Sequence, residues 1–70
     1  MKVDTKVAQN YFSNYGMLKF ELVELLGTKS IFLEEDTIFS VDFYEYRVLV
    51  ELTITNSVKH LRILNIILTC

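Results

Sequence analysis

The sequence predicts an α+β domain in which one N-terminal helix packs on an antiparallel meander of four to five strands. Three observations lead there. Residues 37–55 alternate apolar and polar side chains with the period of two that belongs to strands. Residues 58–69 are rich in isoleucine and repeat the alternation at Lys59, Leu61 and Ile63. Residues 4–15 carry a helical stripe with its own punctuation, Asp4 or Thr5 before it and Gly16 after it.

Taken in order, residues 4–15 place Val7, Tyr11 and Tyr15, with Ala8 and Phe12, on one apolar stripe at helical spacing. Asp4 or Thr5 supplies a side-chain oxygen for the free N–H groups of the first turn. Gly16 suits the left-handed residue that ends a helix, while Asn10, Ser13 and Asn14 are weak helix formers. Residues 17–26 fit two patterns. As a strand, Leu18, Phe20 and Leu22 face one way and Lys19 and Glu21 the other; as a helix, Leu18, Leu22 and Leu25 share a face. Flanking glycines and the ten-residue length favour the strand, and a single helix over 4–26 with Gly16 in its middle is the competing reading.

Residues 27–30 then read as a turn, 31–34 as the start of a strand, and Glu34, Glu35 and Asp36 as a charged connection. Within 37–55 the apolar positions are first odd (Phe39, Val41, Phe43) and then even (Tyr44, Tyr46, Val48, Val50, Leu52, Ile54). A one-residue change of phase moves every side chain to the other face, so a bulge, a tight turn or a change of sheet is required near Phe43–Tyr44. Thr55, Asn56 and Ser57 make a turn. Residues 58–69 return as a strand along 47–55, because a helix there would crowd Lys59, His60 and Arg62 at the positive end of its dipole.

Seventy residues make one domain, 1–70, near the size at which a hydrophobic core alone sustains a fold. The chain is 51% hydrophobic, with five Phe and four Tyr. Each buried large side chain contributes roughly 1.5–3 kcal/mol, yet net stability at this size is about 3–5 kcal/mol. So much apolar surface on so small a body favours a homodimer. Cys70 is the lone cysteine; it excludes an internal disulfide and points to a reducing, cytoplasmic location. Lys2, Asp4 and Lys6 interrupt the N-terminus, and the longest apolar run, 63–68, is broken by Asn65 and too short to cross a bilayer. A soluble protein without membrane contact is expected.

Most chemistries are excluded by residue count. Two isolated glycines make no phosphate loop, and one His with one terminal Cys makes no zinc site. His60, between Lys59 and Leu61, lacks a nucleophile and an orienting partner in its pattern. Glu34, Glu35 and Asp36 lack the spacing of a calcium loop and read as a solvated turn. Asp42 and Glu45 flank the phase change and would form an acid/base pair only if a bulge brought them to one face; edge-strand charge explains them with fewer assumptions. Neither a catalytic constellation nor a cofactor is expected.

Tyr44 and Tyr46 have the character of a base-stacking platform, but Asp42, Glu45 and Glu51 stand where phosphate-binding cations would be needed. Direct nucleic-acid binding is disfavoured, and the tyrosines read as core or as protein interface. Eight of the nine acidic residues fall between 21 and 51, offset there only by Lys29 and Arg47. The expectation is a small non-catalytic protein-interaction module, an inhibitor or regulator, whose partner-binding residues are Glu34, Glu35, Asp36, Asp42, Tyr44, Glu45 and Tyr46. The alternative is an acidic mimic of nucleic acid that blocks a DNA- or RNA-binding protein. The absence of proline and the richness in Ile, Asn, Lys, Phe and Tyr match products of AT-rich phage or mobile-element genomes, which directs the first reading toward a host protein.

Overall fold

In a computed structural model, described for residues 1–69, the chain forms one α-helix and a four-stranded mixed sheet. Strand β1 spans Lys2–Asp4, and a short 3-10 turn follows at Ala8–Asn10. Helix α1 covers Tyr15–Ser30, and strands β2 (Thr37–Phe43), β3 (Tyr46–Thr55) and β4 (Val58–Leu68) complete the fold. The sheet order is β1-β4-β3-β2: β2, β3 and β4 make the antiparallel meander, and β1 adds to β4 in parallel. Cys70, expected as an isolated terminal thiol, lies outside the described residues.

The α+β class and the single helix are as the sequence indicated, but the helix is another segment. Residues 4–15 do not form the expected helix; they leave β1, turn where Asp4 Oδ1 accepts the Lys6 amide at 3.0 Å, pass through the 3-10 turn at Ala8–Asn10, bury Ala8 and Phe12, and enter α1 only at Tyr15. Residues 17–26, read as a strand, lie wholly inside α1. The reason is packing: Leu22 and Leu26, one helical turn apart, are both fully buried against the sheet, with Leu18 and Leu25 at their flanks. The 27–30 turn is helical as well, and 31–34 forms no strand. Neither glycine has a positive φ, so neither ends the helix. Gly16 sits in the first turn, and Gly27 gives room to Met1, whose Cε would lie 3.1 Å from an added Cβ.

The phase change at Phe43–Tyr44 is a two-residue hairpin. Phe43 pairs with Tyr46, both face the helix side, and Tyr44 and Glu45 form the turn between them. Asn56 and Ser57 close the second hairpin, with φ of 51° and 63°, the double left-handed pattern of a type I′ turn, whose strand twist matches that of the sheet. A second phase change escaped the sequence reading. Leu49 pairs with Asn65 while Val50 pairs with Ile63, so Leu64 is an extra residue in β4. This bulge lets Leu61 and Ile63 on one side of it and Ile66 on the other all point into the core. Asn65 Oδ1 accepts the Ile66 amide at 2.9 Å and satisfies a donor at the irregularity.

The core lies between α1 and one face of the sheet, built from Leu22, Leu26, Val41, Phe43, Val48, Val50, Leu52, Leu61, Ile63 and Ile66, with Ala8 and Phe12 closing one end. Lys59 fixes the other end of the helix: its ammonium donates to the Ser30 carbonyl at 2.6 Å, placing a cation at the negative end of the dipole. The opposite sheet face carries Ile38, Ser40, Asp42, Arg47, Leu49, Glu51, Thr53, His60 and Arg62 and has no helix upon it.

Candidate functional site

The β2–β3 turn, the chain between the 3-10 turn and α1, and the first half of α1 meet at one end of the molecule. Between them lies an open cleft of about 250 Å³ lined by Tyr11, Phe12, Ser13, Asn14, Leu18, Tyr44, Glu45 and Tyr46. Its floor is aromatic. The Phe12 ring stands edge-on to Phe43 at 5.8 Å and to Tyr46 at 5.0 Å between centroids. These T-shaped contacts align positive ring edges with negative ring faces. Phe12 is buried, Tyr46 half-buried and Tyr44 exposed, so the two tyrosines that the sequence placed on one strand face have different roles. Tyr46 supports the core; Tyr44 stands in the turn.

Tyr44 is held there under strain. Its φ of 55° lies in the left-handed region that a bulky side chain seldom occupies. The ring packs edge-on to Phe43 at 4.8 Å, and the hydroxyl donates to Glu21 Oε2 at 2.5 Å, joining the turn to α1. That hydrogen bond, then partial desolvation and the nearby Glu21 charge, raises the Tyr44 phenol above its ordinary value of 10.0. Glu45 contributes its carbonyl, which accepts both the amide of Thr69 at 2.8 Å and its hydroxyl at 2.9 Å. The turn is thereby fastened to the helix on one side and to the end of β4 on the other.

Next to the cleft, α1 presents Met17 and Phe20, which are 77% and 82% exposed. Met17 lies four residues before Glu21 and three before Phe20, so it neighbours both along the helix surface, and Glu21 is the residue that Tyr44 reaches. Sequence reasoning missed both. The signal was available in the helical reading of 17–26, which leaves Met17 and Phe20 off the face of Leu18, Leu22 and Leu25.

The other nominated residues are dispersed. Asp42 is on the uncovered sheet face, paired with Arg47 Nε at 3.0 Å, and shares no partner with Glu45. Asp36 Oδ1 accepts the Ile54 amide at 2.8 Å, fastening the connection to β3, and Glu34 and Glu35 are exposed beside it. Glu51 pairs with Arg62 at 3.0 Å. The acidic residues of 21–51 are thus divided among helix, loop, turn and sheet, and two of them are offset by arginines. His60 lies half-buried next to the position of Lys2 on β1, in a shallow groove with Asp4, Glu51 and Arg62. Among the described residues no cluster of His, Cys, Asp and Glu is arranged to hold a metal ion, and no helix is long and apolar enough to cross a membrane. Comparison with protein-family models, curated proteins and solved structures finds no match to this chain.

Proposed function

We propose that this chain is a small non-catalytic protein-interaction module, an inhibitor or regulator, that binds its partner through the aromatic end formed by Tyr11, Met17, Phe20, Tyr44 and the cleft beside them. The observation that carries the reading is Tyr44, kept at φ 55° with its ring exposed and its hydroxyl tied to Glu21. Strain of this kind persists where surrounding contacts enforce it, and it concentrates at sites of recognition. Tyrosine and methionine next to a pre-formed cleft are the side chains that make interface anchors, because they bury large areas with few rotors or adapt to irregular shapes. Self-association belongs to the same reading, since so apolar a chain gains burial by pairing. A cytoplasmic location and a host-protein target follow from composition alone. The acidic-mimic alternative draws less support, because its carboxylates do not share one continuous face.

The test is affinity capture from the native host with wild-type protein and with Phe20→Glu and Tyr44→Ala, each checked for folding by circular dichroism. A specific partner retained by wild type and weakened about tenfold or more by both variants is expected, as truncation of interface anchors gives. Equal capture by the folded variants overturns the site. Saturating turnover by purified protein that vanishes in Asp42→Asn or Glu45→Gln overturns the non-catalytic reading.

A further inference from the structure

We propose that the open edge of β2 pairs with β2 of a second copy, antiparallel about Ser40, so that two chains share one eight-stranded sheet. The inference deepens the self-association part of the reading above, and it uses a surface separate from the aromatic end.

The edge is defined by hydrogen-bond direction. Phe43 and Tyr46 close a two-residue hairpin, so Phe43, Val41, Phe39 and Thr37 exchange hydrogen bonds with β3. The amides and carbonyls of Ile38, Ser40 and Asp42 therefore point the other way, where no strand lies. A long 3.5 Å contact from the Thr37 hydroxyl to the Ile38 carbonyl is the side-chain compensation along this row. Few of the devices that usually blunt an edge are present: β2 holds no proline, no lysine and no bulge, and its single charge, Asp42, is paired with Arg47 of its own sheet. The sheet's other edge, β1, is three residues long. Ile38, on the outer face of β2, is 58% exposed, and an open groove between the edge and α1 is lined by Leu25, Lys29, Ser40, Val41, Asp42 and Arg47.

Charge selects both the partner and the register. A two-fold axis through Ser40 sets Ser40 opposite Ser40 of the second copy and Ile38 opposite Asp42, pairing all three outward rows on each side. The two Asp42 side chains then stand about 13 Å apart along the strands, each beside its own Arg47. Centring on Val41 makes the two Asp42 residues diagonal neighbours at roughly 7–8 Å. Centring on Phe39 sets Asp42 against Asp36, the residue that precedes β2. Only the Ser40 register uses every free backbone group without opposing like charges. It also places Phe39 opposite Val41 on the helix side, which joins the two cores.

The experiment combines mass with cross-linking. Purified wild type should sediment at twice the chain mass at micromolar concentration. Ser40→Pro removes only an outward amide, which intramolecular pairing does not use, and should give folded monomer. In a Cys70→Ser background, Ser40→Cys should form a covalent dimer on mild oxidation, because opposed hydrogen-bonded residues have Cα atoms about 5.5 Å apart, within disulfide reach. Asp42→Cys in the same background should not. Monomeric wild type overturns both the edge and self-association. A dimer whose Asp42→Cys variant cross-links as fast as Ser40→Cys, or which survives Ser40→Pro, overturns the edge and leaves self-association standing.

Discussion

Among the described residues, Tyr44, Asn56 and Ser57 are the three outside glycine with left-handed backbone, and they separate two uses of strain. At Ser57 the strain accomplishes only a turn: the side chain is exposed and no contact depends on it. Ser57→Gly is expected to stabilise the protein by about 1 kcal/mol, because glycine occupies this region without steric cost, read as a higher urea midpoint at unchanged slope. At Tyr44 the same conformation carries a hydrogen bond and a ring contact, so glycine there relieves strain while releasing the turn from α1. The phenol gives a direct readout. Its folded value is raised by Glu21 above 10.0, so the stability it contributes is present below pH 10.0 and is lost as pH rises through the folded value. Glu21→Gln should bring the Tyr44 titration down toward that of a free tyrosine in ultraviolet difference spectra; an unchanged titration would mean that Glu21 does not hold the hydroxyl.

Helix α1 is the element on which the sheet depends for cover, and its two glycines predict unequal effects. An added Cβ at Gly16 meets nothing within 4 Å, so Gly16→Ala should gain about 0.5–1 kcal/mol from reduced chain entropy. At Gly27 the added methyl lies 3.1 Å from Met1 Cε and must displace that side chain, so Gly27→Ala should gain less. Paired denaturation curves check the order. At the far end of α1, Lys59→Met should cost about 1–2 kcal/mol, since it removes a charged hydrogen bond to the last-turn carbonyl of Ser30. Full retention of stability in that variant would show that water replaces the ammonium without loss.

For the molecule as a whole, one thin core sits between a single helix and one sheet face. Leu26 is fully buried at its centre. Leu26→Ala should cost about 2–5 kcal/mol, comparable to the entire stability of a domain this small, and leave the chain largely unfolded at room temperature. By contrast, the exposed Asp42–Arg47 pair contributes at most about 1 kcal/mol. The uncovered sheet face is therefore held by the ladder and by the core beneath it rather than by its own charges. Both proposed surfaces, the aromatic end and the β2 edge, lie where the core does not need cover.

Strands β2, β3 and β4, the turn at 55–57, a break of phase at Phe43–Tyr44 and the α+β class were legible along the chain, because alternation with period two and turn chemistry are local properties; β1 was not, since three residues carry too little pattern. The even residues from Tyr46 to Ile54 pointed inward as their spacing required, and Thr55, Asn56 and Ser57 marked a turn from composition alone. Tertiary structure decided what local pattern left open. Residues 17–26 satisfied two periodicities, and the sheet's need for an apolar cover selected the helix through Leu22 and Leu26. The same packing turned the apolar stripe of 4–15 into a 3-10 turn and an irregular cap, because its Ala8 and Phe12 could be buried without an α-helix. It also divided Tyr44 from Tyr46, set the bulge at Leu64, and gathered Tyr11, Leu18 and Glu45 around one cleft. Spacing reveals which side chains share a face of one element; which faces meet, and which are left open for a partner, is fixed only when distant segments compete for the same core.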